Sequence, residues 1–597
     1  MKLSRLLLIS AVAISLTSCD DLFEPALENN QDISQMYKDP QFARGILDNA
    51  YLALPYANSP VTDVATDDAV TNNNSDNYKK MATGSWDANM NPVSQWDGRY
   101  HAIQYCNLML ENCDKVEWSY STPVLKQMYS DNYKGNAYAL RGLHLFYLLR
   151  AHAGMVDGQL MGVPIHLASE TASSNFNLPR NTFKECIDQI MSDFDEALKY
   201  LPEQYGDVDE DKVPAKYAQE GASNAEYNRA FGDNHRGKID GRIISAFKAQ
   251  VAIMAASPAY ASAGTFTYEE AAKLAADCLK NFGGLRACDP DGWKWYDNKS
   301  VIEGLGATSA NPKEIIWRGG IDESNSLESD NYPPTLYGKG RVNPTQNLVD
   351  AFPMANGYPI SNTNSEYNAN DPFANRDPRL KAYILVNGDK MGSTDGVVNS
   401  AADSKTTDGL NKENGKSTKT GYYLRKLLRS DINLNPNSTT KQKHLNARIR
   451  TTEILLDYAE AANEAQGPKA KVGGAGYSAY DVIKAIRERA GVGEFGEDPY
   501  LDDCAQSKEK MRELIRNERR LELCFENHRF WDLRRWKANL NEAAKGINIT
   551  TDEATGAFVY KTFEAEERKY DDYMFYGPIP YSEILKYSNL KQNEGWK

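Results

Sequence analysis

The sequence predicts a mostly α-helical protein, built as a tetratricopeptide-like helical-repeat scaffold with a loop-rich face and a few short strands. Three observations lead there. Apolar and aromatic residues recur at spacings of three and four in long runs before residue 281 and again after residue 450. Between them, residues 282–438 are punctuated by Gly, Pro, Asn and Asp around short apolar runs, the pattern of loops and brief strands. Helices of this length packed one after another bury faces that no single one could bury alone, which is how helical solenoids are built. No strict tetratricopeptide signature is present, so the prediction rests on periodicity.

The amino terminus comes first. Lys2 and Arg5 precede an apolar run over 6–16, and Thr17 and Ser18 lead into Cys19. That is a signal peptide over 1–18 in outline. Leu16-Thr17-Ser18-Cys19 resembles the lipobox of bacterial lipoproteins, which predicts cleavage before Cys19 and acyl chains on it. The apolar run is well short of the roughly 20 residues a membrane-spanning helix needs, whereas two or three acyl chains anchor stably. The acidic and amide-rich residues 19–35 are predicted to be a lipidated flexible tether.

A single body over 36–597 should follow, with helical parts at 36–281 and 451–597 flanking a loop-rich, variable part at 282–450. Residues 96–114 and 125–152 read as amphipathic helices. The next is marked by a possible capping box, Thr182 with Glu185, ahead of Phe183, Ile187, Ile190, Phe194 and Leu198 on one face. Ile243, Phe247, Val251 and Met254 continue the theme before Pro258. The polar, Gly-rich stretch 387–421 reads as a mobile excursion. Helices return at 451–466, 478–490 and from 506 to about 544, with Gly467-Pro468 and Gly491 where stops belong.

Composition narrows the function. A formal net charge of -14 argues against nucleic acid, which requires a basic face. The chain has 35 tyrosines and 9 tryptophans against 7 histidines, favouring aromatic surfaces over metal or acid-base sites. Eight cysteines become an odd seven once Cys19 carries lipid, so buried thiols are expected. There is no Gly-x-Ser-x-Gly elbow, His-Glu-x-x-His motif or phosphate-binding Gly-Lys-Ser loop. No cofactor is expected; calcium held by loop aspartates is conceivable, with no loop singled out.

The densest segment is 515–536, where Arg516, Arg519, Arg520, Arg529, Arg534 and Arg535 interleave with Glu518, Glu522, Glu526 and Asp532. These spacings allow intrahelical pairs, so a structural ion-pair network is expected there. With this segment the chain resembles the SusD/RagB family of outer-membrane lipoproteins. The resemblance runs in order through Leu140-Arg141 to Arg150, Gly162-Val163-Pro164, Glu314 to Trp317, Asn343-Pro344-Thr345-Gln346 to Phe352, Asn356-Gly357, Asp377-Pro378-Arg379, Gly421-Tyr422-Tyr423, Tyr458 to Glu464, Ile486-Arg487 to Gly491, and Gly577-Pro578-Ile579-Pro580. Two departures stand out: Asn527 where the family often has glycine, and a longer approach, residues 154–161, to Gly162.

The resemblance implies that these motifs are scaffold, in a non-catalytic surface protein that passes oligosaccharide or polysaccharide to a SusC-like TonB-dependent transporter at the outer membrane. It places the ligand-binding face on the variable loops. Sugar rings need flat apolar faces with amides and carboxylates around them. Two loop clusters offer both: Asp67, Asp68, Trp86 and Asn89 with Asn72 to Asn74, and Trp293, Trp295 and Tyr296 with Asp291 and Asn298. A loop tryptophan is as often a plug over the core. Three other readings stand beside glycan capture: a peptide-binding member of the same family, a surface endo-glycosidase, and a helical scaffold without a small ligand.

Overall fold

The computed structural model describes residues 33–493 and 496–597. The predicted signal peptide, Cys19 and all but the last residues of the tether lie outside the described residues. Helices dominate the first half: α1 (Pro40–Leu52), α2 (Trp96–Asn112), α3 (Pro123–His152), α4 (Phe183–Tyr200), α5 (Gly241–Ala256) and α6 (Tyr268–Lys280). Each packs on the next in chain order, α1 on α2, α2 on α3, α3 on α4, α4 on α5 and α5 on α6. That serial stacking is the helical-repeat scaffold that periodicity predicts. The capping box at Thr182 is present, its hydroxyl accepting from Glu185 N and the Glu185 carboxylate accepting from Thr182 N. Where α3 crosses α4 the backbones close in on Gly142; a Cβ there would lie 3.1 Å from Phe194 and 3.2 Å from the Ile190 carbonyl.

The chain then passes through short strands and loops and returns to the stack. A strand β1 (Ala69–Thr71) pairs with β3 (Val342–Pro344), and β2 (Ile315–Arg318) pairs with β4 (Ala447–Arg450), both antiparallel. Then follow α7 (Thr451–Gln466), α8 (Ala479–Ala490), α9 (Lys508–Leu523) and α10 (Arg529–Arg535). Helix α7 lies against α6, α8 and α9, so the two helical parts share one core. Gly491 stops α8 in the left-handed conformation that glycine adopts without strain. The helical run predicted to about residue 544 ends earlier: Phe525 and Asn527 take φ of 63° and 64°, which separates α9 from α10. An unforeseen hairpin, β5 (Ala544–Thr551) with β6 (Phe558–Glu566), follows.

The middle is more tightly built than a mobile excursion. Asp408, Ser417, Thr418 and Thr420 are buried. The Asp408 carboxylate accepts from Thr335 N and Oγ1, and Thr418 Oγ1 donates to the Tyr422 carbonyl at 2.7 Å. Polar composition here supplies inward hydrogen bonds in place of apolar packing. The seven described cysteines are free thiols and, apart from half-buried Cys288, buried. No helix among the described residues is long and apolar enough to cross a membrane.

The ion-pair expectation for 515–536 is met mostly across helices, with Arg535 and Asp532 the pair along one. Arg379, fully buried, reaches Asp377, Glu518 and Glu522, while Arg487 of α8 pairs with Glu518 and Asp498. Arg450 pairs with Glu314 and Glu526, and Arg535 with Glu460 and Asp532. These four cations each answer carboxylates, which offsets the cost of desolvating both, whereas Arg516 and Arg534 of the same segment rest on aromatic rings.

Candidate functional site

A cavity of about 230 Å³ opens where the loop after α1, the carboxyl end of α3, one face of α5, strand β4 and the α9–α10 junction meet. Roomier depressions on the flanks of the helical body, of about 480 and 510 Å³, are more open to solvent. Aromatic rings form much of the cavity wall, with Trp317 behind it. Tyr147 of α3 donates from its hydroxyl to the Tyr56 hydroxyl at 2.8 Å, with the rings edge to face at 6.0 Å. Tyr56 in turn stands edge to face with Trp317, 5.6 Å away. Trp531 of α10 completes the wall, half-buried.

Two arginines are layered into that wall. The Arg150 guanidinium lies 4.3 Å from the Trp531 ring centre and 4.7 Å from that of Tyr147. Arg448 lies 4.6 Å from Trp317 and 5.1 Å from Tyr56. Burial pulls both groups below the ordinary arginine range, far from the point at which either would lose its charge.

Behind the aromatics sits the lattice. Arg519 donates to Asp457 at 2.7 Å and to Asp532 at 2.8 Å, and Arg450 donates to both oxygens of Glu526. These carboxylates are already engaged by protein. Glu453 differs. Its oxygen accepts from Gln250 Nε2 at 2.7 Å and lies 3.8 Å from His528 Nδ1. Burial, followed by the neighbouring Asp457 charge, raises the Glu453 carboxyl above the ordinary carboxylate range, and burial pulls His528 down to about 3. His528 is therefore neutral at pH 7. Gln95, Asn527 and the Thr62 hydroxyl add neutral polar groups to the rim. Asn527 pins the rim: its Oδ1 accepts from Thr62 N at 2.9 Å and its Nδ2 donates to the Ser59 carbonyl at 3.0 Å.

The residues predicted as ligand contacts fall elsewhere in part. Trp86 is 4% exposed, its ring enclosed by Trp596 at 4.8 Å, Tyr570 and Phe530, its Nε1 donating to Asn91. Asp67 accepts from Arg529 and forms an ion pair with Arg520, and Asp68 accepts from Arg520 Nε at 2.6 Å; both are buried. Trp293 is buried against Tyr383. These are corrections to two exposed aromatic platforms: the rings stack on protein and the aspartates answer arginines. Asn89 is exposed, its N–H donating to Asp87 in a turn. Trp295 and Tyr296 are buried as well, though they border a smaller cleft of about 50 Å³. That cleft shares Ala57, Ala447, Glu526 and Asn527 with the cavity, and Trp295 Nε1 has no hydrogen-bond acceptor among the described residues. Arg150 and Trp531, which lie in segments read as scaffold, were missed as cavity residues. Among the described residues no group of three or more His, Cys, Asp or Glu is placed to hold a metal ion.

Comparison with known proteins bears on the same regions. Residues 313–596 match a model described as the SusD family, and residues 27–222 match one described as starch-binding and associating with the outer membrane. A SusD-like protein of Formosa agariphila is 27% identical over 209 residues, 31% of this chain and 35% of that protein. A second from the same organism is 30% identical over 145 residues, 24% of each. The alignments thus span about a third and about a quarter of these relatives. In fold the likeness extends over nearly the whole chain. A SusD-like protein of Bacteroides fragilis superposes with a TM-score of 0.70 at 21% identity, over 96% of this chain and all of that one. A SusD-like carbohydrate-binding protein of the same species gives 0.67 at 18%, over 93% and 100%. A laminarin-binding SusD-like protein gives 0.55 at 16%, over 94% and 100%.

Proposed function

This chain belongs to the SusD family, and from that premise we propose that it is a non-catalytic glycan receptor of the outer membrane, holding an oligosaccharide in the cavity between α3, β4 and α10. The observation that carries the reading is the seam of Trp531, Tyr147 and Tyr56 facing a water-accessible cavity whose rim includes the neutral polar groups of Gln95, Asn527 and Thr62. Aromatic faces desolvate sugar rings, and the amides satisfy their hydroxyls. Trp295 and Tyr296 extend the same surface into the adjoining cleft. The names of the carbohydrate-binding and laminarin-binding neighbours are consistent with this cargo class.

In this reading acyl chains on Cys19 hold the body at the external face, and a SusC-like transporter takes the glycan. Turnover is not part of it, because Asp457, Glu526 and Asp532 are each held by arginine, whereas hydrolysis needs a free pair of carboxyl groups working together. Calorimetry of the purified protein against panels of oligosaccharides and peptides tests the reading. Saturable glycan binding without release of reducing sugar is expected. Saturable peptide binding with no glycan binding would overturn it in favour of a peptide receptor, and sugar release abolished by Glu453→Gln would make the protein a glycosidase. Metabolic labelling with palmitate, lost in Cys19→Ala, tests the anchor.

A further inference from the structure

We propose that the cavity is built for an acidic glycan, one whose carboxylate or sulfate groups are taken by Arg150 and Arg448. The inference rests on the glycan reading above and adds the charge of the cargo. Its starting point is a contrast inside a single wall. Arg450, Arg519 and Arg535 line the cavity and each is held by carboxylates. Arg150 and Arg448 line the same cavity, and among the described residues neither has a carboxylate within ion-pair distance or a hydrogen-bond acceptor. Arg150 Nε is buried without an acceptor.

Charged side chains without partners are costly to keep away from water; among the described residues Arg516 and Arg534 also lack a carboxylate, but they rest on rings outside the cavity, whereas Arg150 and Arg448 line it. Glu453, the acidic residue in the electrostatic surroundings of Arg150, does not supply one: it is not within ion-pair distance and its oxygen accepts from Gln250 Nε2. Stacking on Trp531 and Tyr147, or on Trp317 and Tyr56, covers guanidinium faces and leaves the N–H edges as the groups still able to bind. An edge of parallel N–H donors is the geometry that takes a carboxylate or sulfate through two bonds. The Tyr147–Tyr56 hydroxyl pair links the two cations, so the aromatic seam that would hold sugar rings carries an anion site toward either end. A neutral glucan would leave both charges unanswered.

The test uses the purified full-length mature protein and three oligosaccharide probes of similar length: oligogalacturonate for carboxylate, sulfated dextran oligosaccharide for sulfate, and unmodified dextran oligosaccharide as the neutral case. The expected result is binding of at least one acidic probe, weakened about tenfold or more between roughly 0.1 M and 1 M NaCl as screening shortens. The preferred probe tells carboxylate from sulfate. Arg150→Met and Arg448→Met together should abolish that binding in protein with an unchanged circular dichroism spectrum; should the double variant not fold, each single variant and the salt dependence of the wild type carry the test. Failure of both acidic probes to bind at the lower salt overturns the inference. So does acidic binding that survives in the folded double variant, or that ignores salt. If only the neutral probe binds, the acidic-cargo inference falls and the glycan reading stands; if none of the oligosaccharides binds while peptides do, both fall.

Discussion

Arg379 in the interhelical lattice and Arg150 in the cavity wall are the same side chain given opposite treatment. Arg379 is wholly enclosed and answers three carboxylates from two elements. Arg150 is half-buried and answers only aromatic rings. The difference separates two uses of buried charge. In the lattice the pairing is complete and its purpose is to lock helices together; in the cavity it is left incomplete at the surface where a ligand arrives.

That comparison can be broken at graded cost. Arg379→Met leaves the buried Asp377 without its cation and should destabilise the fold by about 3–5 kcal/mol, read from urea unfolding; a loss below about 1 kcal/mol would show that the lattice does not hold the helices. A buried group that avoids charge altogether gives the second case. His152 accepts from Gln95 N through Nε2 and donates through Nδ1 to the Pro578 carbonyl, and burial pulls it down to about 4 from an ordinary 6.5. The folded state keeps it neutral while the unfolded chain takes the proton, so its contribution is complete above pH 6.5 and is lost as pH falls toward 4. The loss should reach on the order of 3 kcal/mol. Unfolding curves at pH 7, 5 and 4 measure it, and His152→Gln, which can keep both hydrogen bonds without titrating, should flatten the slope.

Asn527 sharpens the comparison at the rim. Asn527→Ala keeps the left-handed backbone strained and loses the bonds to Thr62 and Ser59, at about 2 kcal/mol; Asn527→Gly loses only the bonds and should cost roughly 1 kcal/mol. Thermal denaturation of the pair decides whether backbone or side chain matters more there. The smallest stability effect belongs to the cavity cations: Arg150→Met and Arg448→Met should each change unfolding free energy by less than about 1 kcal/mol. A cost equal to that of Arg379→Met would mean that the wall is scaffold like the rest.

The same contrast explains what could be read from residues alone. The stack was legible because α4 and α5 place large apolar residues at helical spacing and Thr182 announces its own cap. The lattice was legible because arginine and glutamate alternate through α9. The cavity was not. Tyr56, Arg150, Arg448 and Trp531 come from four distant segments, and each fits its own pattern as an ordinary packing residue. Periodicity identifies the face a helix buries but not whether the neighbour on that face is protein or space. Trp86 and Trp293 misled for the converse reason: their loops are polar, yet the rings cover the core. The hairpin of β5 and β6 was missed because residues 558–566 keep most of their side chains exposed or half-exposed, leaving little burial pattern to read.

The pairs that fasten the first loops to the last helices also order events in time. Asp67 meets Arg529 across 462 residues of chain, and Asp63 meets Asn527 across 464. A chain made from its amino terminus therefore carries Asp63, Asp67 and Asp68 unanswered until nearly the whole polypeptide exists. Early helices can stack as they emerge, but closure of the cavity must wait for the final segment. Contacts of such length are slow to form, and a chain truncated before α10 would be left with an open seam that recognises nothing.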